Sequence, residues 1–186
     1  MGQDVLTSSQ IPGILQRSDD RWFAIQVRPR HELKVAVVLE FKGYVTYVPL
    51  YCCRRKWSDR WKVLSVPLFA GYVFCQINPD VLLPIISTPG VIRIVRTGGR
   101  PAPVDSKDIQ AVQIIVKSRQ LIAPCPYLTV GSRVRIIDGP LTGLQGILGE
   151  QKNKQLIVSV HLLQSSIAVV IDNLSVISIE DARRSA

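Results

Sequence analysis

Residues 65–77, SVPLFAGYVFCQI, decide how the first part of this chain folds. From Gly71 onward the side chains alternate. Val73, Cys75 and Ile77 point to one face of a strand, and Tyr72, Phe74 and Gln76 to the other. Both faces are largely apolar, which marks a central strand covered on two sides rather than an edge. Pro67 and Gly71 interrupt the run where a central ladder tolerates them poorly, so the regular strand starts at Gly71. Leu68 and Phe69 then sit just before it, on a bend. An aromatic on a bend either plugs the local core or is handed to a partner, and these residues alone favour the plug.

Upstream, 22–27 (WFAIQV) alternates as a strand and runs into the basic turn RPRH. Residues 31–42 have helical length, with Gly43 as the stop, although Val35, Val37 and Val38 lower the propensity and the helical wheel is untidy. A second strand is expected over 44–51, punctuated by Pro49. Residues 54–62, RRKWSDRWK, hold five basic residues, one acid and two tryptophans. As a strand–turn–strand arm they place Arg54, Arg55, Lys56, Arg60 and Lys62 near solvent. Basic residues interleaved with aromatics suit a phosphate backbone with exposed bases. The arginines fit that reading, whereas Trp57 and Trp61 are expected to cover the sheet.

Downstream, Asn78-Pro79-Asp80 has the cap-then-proline pattern of a helix start, and Pro84 keeps that helix short or kinked. A strand over 91–95 follows. After GGRPAP, Asp105 can cap a helix whose Ile109, Val112 and Val116 form one apolar stripe. This order predicts an α+β fold, with helices flanking an antiparallel sheet. Residues 119–126, stiffened by Pro124 and Pro126, read as a linker. Beyond it come five short strands, at 133–137, 144–149, 156–160, 167–171 and 176–179, with Gly139, Gly143 and Gly146 punctuating the first hairpin. That spacing fits a small SH3-like β-barrel. The resulting division is a mobile tail over 1–20, a first domain over 21–118, the linker, a second domain over 127–180 and a short tail over 181–186.

A chain of 186 residues suffices for two small domains with usable cores. The formal charge of +9 is uneven: residues 1–126 carry 17 Lys/Arg against 9 Asp/Glu, and residues 127–186 carry 6 against 5. A basic first part points to nucleic acid or another polyanion. No apolar run approaches the roughly 18–20 residues of a membrane span, and the polar first twenty residues lack the apolar core of a secretory signal. A cytoplasmic protein with no membrane contact is expected. Four cysteines without metal-ligand spacing, two histidines, and no phosphate-binding loop, nucleophile elbow or paired carboxylates argue against an enzyme and imply no cofactor and no metal.

Four stretches carry a family resemblance: WFAIQVRPRHE (22–32), VPLFAGYVF (66–74) and GGRPAPV (98–104) resemble the NusG N-terminal domain, and VRIIDGPLTGLQGIL (134–148) resembles a KOW motif. Order and spacing match over roughly 21–179. The RPRHE and WSDRWK segments resemble specialised paralogues of the UpxY and RfaH kind more than the housekeeping protein. Ala70 departs from the family, which usually has proline there.

The resemblance implies a monomeric transcription elongation and antitermination factor that suppresses pausing. Its N-terminal domain would bind RNA polymerase at the β′ clamp helices, reach the β gate loop, and contact upstream or non-template DNA. Its KOW domain would recruit NusE ribosomal protein or Rho, and the specialised paralogues serve polysaccharide-biosynthesis operons. On this resemblance Phe69, Tyr72 and Trp22 are the polymerase-docking residues, with Phe69 projecting from its bend. Leu141, Leu144 and Leu163 align with the family's KOW partner-binding positions and are expected to form an exposed apolar patch. Arg28, Arg30, His31 and Lys34, at the start of the first helix, are expected to contact DNA together with Arg54, Arg55 and Arg60. Two rival readings are a housekeeping NusG assisting Rho-dependent termination and a KOW-containing RNA- or ribosome-associated protein.

Overall fold

The computed structural model of the chain describes residues 21–127, 131–149, 155–171 and 176–178; the expected tails at 1–20 and 181–186 lie outside them. The stretch read first as a central strand is one. β1 (Arg21–Val27), β2 (Val45–Tyr47), β5 (Tyr72–Ile77) and β6 (Val91–Ile94) form an antiparallel sheet in the order β2-β5-β1-β6. Phe23 lies opposite Cys75 and Ile25 opposite Val73, so one face carries Phe23, Ile25, Val27, Val73, Cys75 and Ile77. That face packs on Val35, Ala36 and Leu39 of α1 (Glu32–Phe41) and on Ile85 of α2 (Leu83–Ile86). The other face brings Ala24 and Phe74 into one cluster with Ile109, Val112 and Ile115 of α3 (Ser106–Lys117).

Helix α1 explains its own untidy wheel: Leu33, Val37 and Phe41 are exposed while Val35, Ala36 and Leu39 are buried, so apolar residues occur on both flanks. Gly43 ends it at φ +86, its N–H donating to the Glu40 carbonyl. Lys42 Nζ reaches across to the Pro84 carbonyl and Thr88 Oγ1, each at 2.8 Å, tying α1 to α2. Helix α3 is capped as expected, with the Asp105 carboxylate accepting from Lys107 N–H at 2.8 Å. Its fully buried stripe is Ile109, Val112 and Ile115, with Val116 only partly covered.

Two local readings change. Asn78 does not start a helix: its Oδ1 accepts from Asp80 N–H in a turn, and α2 begins later with Pro84 in its first turn, where a missing N–H costs nothing. The single strand expected over 44–51 is broken at Val48-Pro49. β2 stays in the main sheet, and β3 (Leu50–Lys56) pairs with β4 (Trp61–Pro67) as a separate two-stranded arm. A second, shorter hairpin joins β7 (Arg96–Thr97) to β8 (Arg100–Pro101) through Gly98-Gly99.

The remaining strands form one antiparallel sheet of six. They are β9 (Ile122–Pro126), β10 (Arg133–Ile136), β11 (Gln145–Gly149), β12 (Gln155–Val160), β13 (Ser165–Val170) and β14 (Val176–Ser178). Their order is β14-β10-β11-β12-β13-β9. Alternation buries Leu156, Val158 and Val160 along β12, and these share a cluster with the α3 stripe. The segment read as a linker contributes β9, whose 122–126 pair with 165–169 of β13. Pro124 and Pro126 are compatible with a strand because β9 is an edge, where a missing donor faces no neighbour.

Candidate functional site

Between β4 and β5 the chain makes the Leu68–Gly71 bend, and its geometry is set by backbone bonds. Leu68 N–H donates to the Pro49 carbonyl at 2.8 Å, and Tyr72 N–H to the Phe69 carbonyl at 3.2 Å. Gly71 sits at φ +81, a conformation that any side chain strains, and its carbonyl accepts from Val27 N–H at 2.8 Å. The Gly71 N–H donates to Glu32 Oε1 at 2.7 Å, and Glu32 is 5% exposed. A buried carboxylate from the first turn of α1 thus fastens the bend.

The bend corrects the expectation for Phe69. Instead of projecting, Phe69 is buried at 6% exposure, its ring meeting Phe74 edge-on at 5.6 Å and 89°. Phe74 in turn lies 6.4 Å from Tyr47, whose hydroxyl burial pushes well above its ordinary value. Trp22 and Tyr72 are half-buried. They stand opposite Gln76 and Gln26 respectively, on the same face as Phe74. All three candidate docking residues therefore belong to the α3-side cluster, which also holds residues of the six-stranded sheet.

The predicted basic groups lie on two elements. Arg28 and Arg30 are exposed in the turn before α1, and Lys34 is exposed in its first turn. Arg30 adopts φ +65, and the half-buried His31 ring lies 3.1 Å from the Pro29 carbonyl through Nδ1. Among the described residues no side chain caps this helix start. Arg54, Arg55 and Arg60 are exposed on the β3–β4 arm, with Lys56 exposed and Lys62 half-buried beside them. Arg60 lies 3.6 Å from Asp59, an exposed pair that water screens. Trp57 and Trp61 do not cover the sheet as expected: they are 50% and 60% exposed on the arm itself.

The leucine patch is corrected too. Leu141 is fully buried, and Leu144 and Leu163 are 5% and 9% exposed. Leu141 ends a tight turn over Gly139–Leu141, where Leu144 N–H donates to its carbonyl and Gly143 N–H to the Ile136 carbonyl. The Gly139–Leu141 turn folds Leu141 and Leu144 inward, and a separate turn over His161–Leu163 buries Leu163; removing each leucine from water is worth about 2 kcal/mol.

Sequence reading missed Glu32, whose only signal was an acid at the start of a helix. It also missed Arg93 and Arg96, which with Gln26, Tyr72, Ile94 and Val95 line a hollow of about 170 Å³. Arg93 Nε donates to Gln26 Oε1 at 2.7 Å, adding a cationic rim beside Tyr72.

Residues 20–113 match the family model described as transcription termination factor nusG. The transcription termination/antitermination protein NusG of Lactococcus lactis subsp. lactis (strain IL1403) is 25% identical over 169 residues, covering 83% of this chain and 90% of that protein. Its namesake in Campylobacter jejuni subsp. jejuni serotype O:2 is 27% identical over 146 residues, 72% of this chain and 81% of that one. Among solved structures, one described as "Domain interaction in Thermotoga maritima NusG" is 21% identical with a TM-score of 0.52. It spans 86% of this chain and 97% of that one, a likeness of fold.

Proposed function

The chain belongs to the NusG family, and on that premise we propose that it is a non-enzymatic transcription elongation factor of the antitermination kind. The names of its relatives, which join termination to antitermination, support the class. The observation that carries the reading is one of continuity: the cationic arm β3–β4 runs without a break through the bend that holds buried Phe69 into β5, which opens with half-buried Tyr72. One segment thus sets a surface for a nucleic-acid backbone next to the aromatic residues proposed to meet a protein.

In this reading 21–118 form the polymerase-binding domain and dock on the clamp helices through Trp22, Tyr72 and Phe69. Because Phe69 lies in a cluster shared with the six-stranded sheet, docking through it opens that contact. Arg28, Arg30, His31 and Lys34, with Arg54, Arg55 and Arg60, contact upstream or non-template DNA. Residues 127–180 are the KOW module, an SH3-like barrel that recruits NusE ribosomal protein or Rho. The protein acts as a cytoplasmic monomer, in the specialised UpxY or RfaH manner, on a polysaccharide-biosynthesis operon.

The test is a single-round elongation assay with purified core polymerase and the full-length protein. Shortened pauses are the expected result. Unchanged pauses with no polymerase binding would remove the reading. Increased release that depends on added Rho would replace it with the housekeeping role.

A further inference from the structure

The arm carries a feature that a phosphate-binding surface does not need. In its register Lys56 faces Trp61, Arg55 faces Lys62 and Arg54 faces Val63. Directly paired residues share a side of a hairpin, so Arg54, Lys56, Trp61 and Val63 lie on one side. Arg55 and Lys62 lie on the other, which the alternation extends to Trp57 at the turn. The ring contacts agree. The Arg54 guanidinium lies 5.7 Å from the Trp61 centroid, and Lys62 Nζ lies 4.1 Å from that of Trp57. Trp57 N–H donates to the Arg60 carbonyl at 2.8 Å and closes the turn between them. Each side of the tip therefore presents an indole held by a cation, with half or more of the indole in water.

We propose that Trp57 and Trp61 are stacking platforms for unpaired bases, making the arm tip a binding site for single-stranded DNA. Leaving two indoles in water forfeits burial that the fold could have used. The surrounding charge identifies the occupant: five cations and one acid within 54–62 repel a basic peptide and attract a polyanion. Duplex DNA hides the faces of its bases, whereas a displaced strand offers them, and stacking accepts any base. Arg54 and Lys62 stay on the ring faces they already occupy, close enough to neutralise neighbouring phosphates. The choice of DNA rests on the function proposed above, which sets the arm beside upstream or displaced non-template DNA.

The experiment measures binding of fluorescently labelled dT12 to the full-length protein, alongside a duplex and a U12 RNA of equal length. Trp57→Ala and Trp61→Ala should each weaken dT12 binding about tenfold with the salt slope unchanged. Trp57→Phe and Trp61→Phe should restore most of it, and duplex binding should not move. Both sites are exposed, so unchanged melting temperatures check the fold. Equal losses for dT12 and duplex, no loss in either variant, or a preference for U12 would overturn the proposal. Polymerase is absent from this measurement. A failure to bind polymerase therefore leaves stacking standing, and a failure to stack with polymerase binding intact removes only the arm's role.

Discussion

Glu32 Oε1 accepts the Gly71 N–H at 2.7 Å, joining the first turn of α1 to the bend that precedes the central strand. Removing this carboxylate leaves a partly buried backbone donor without its partner. Glu32→Ala is expected to lower stability by about 1.5–3 kcal/mol, with Glu32→Gln recovering part of the loss. Urea unfolding of both variants checks it, and a change under ~0.5 kcal/mol for Glu32→Ala would show that the bend holds itself.

Phe69 sits against Phe74 with little contact with water. Phe69→Ala should therefore cost about 3–5 kcal/mol. Polymerase affinity is to be compared after scaling to the folded fraction. A further tenfold loss supports docking through this ring, and unchanged scaled affinity assigns Phe69 to the core. Tyr72→Ala, at a half-buried position, should separate the two effects with less damage to the fold.

Leu141 is fully buried within the turn Gly139–Leu141, so Leu141→Ala is expected to cost about 2–5 kcal/mol, seen as a lower urea midpoint. An unchanged midpoint would return this leucine to the surface. Gly146 is constrained more tightly still: a Cβ there would stand 2.5 Å from the Ile157 carbonyl oxygen across β11 and β12. Gly146→Ala should separate those strands and destabilise the six-stranded sheet.

Asp108 on α3 lies 3.9 Å from His161, beyond β12, and its carboxyl is raised above the ordinary value of 3.8. Desolvation by burial is the main cause, and His161 opposes it. A raised carboxyl favours the fold when protonated. Its contribution is complete below the unfolded value and is lost as pH rises through the folded one. Asp108→Asn should therefore raise the melting temperature at pH 7 and make no difference near pH 3. A lower melting temperature at pH 7 would mean that the attraction of His161 outweighs burial.

The proposed DNA surface makes a separate prediction. Arg55→Ala and Arg30→Ala should each lower the slope of log affinity against log salt by about one, on a scaffold with an exposed non-template strand. An unchanged slope would return these residues to a solvated basic face.

What could be read from sequence was local. The two-sided apolar alternation of 72–77 identified the central strand, and Asp105 announced its helix because a cap acts two residues away. What could not be read depended on distant partners. Nothing near Pro124 reveals that 165–169 will pair with 122–126. The inward turn of Leu141 depends on the later strands and on α3, which share its cluster. The tryptophans of the arm were misread for the opposite reason. Their composition suited a covered sheet, yet the arm leaves the main sheet at Pro49, and among the described residues no layer covers them.

The pairing of β9 with β13 also limits reach. The chain leaves α3 at Lys117 and enters β9 at Ile122, so five backbone links join helix to sheet. Fully stretched, five links span roughly 17 Å. A partner held farther from polymerase than that leash permits can be engaged only after β9 peels from β13. Engagement at long range would then uncover the open edge of β13, and capture would become visible as faster amide exchange at Val170, whose N–H donates to the Leu121 carbonyl, and at Ala168 on the same edge.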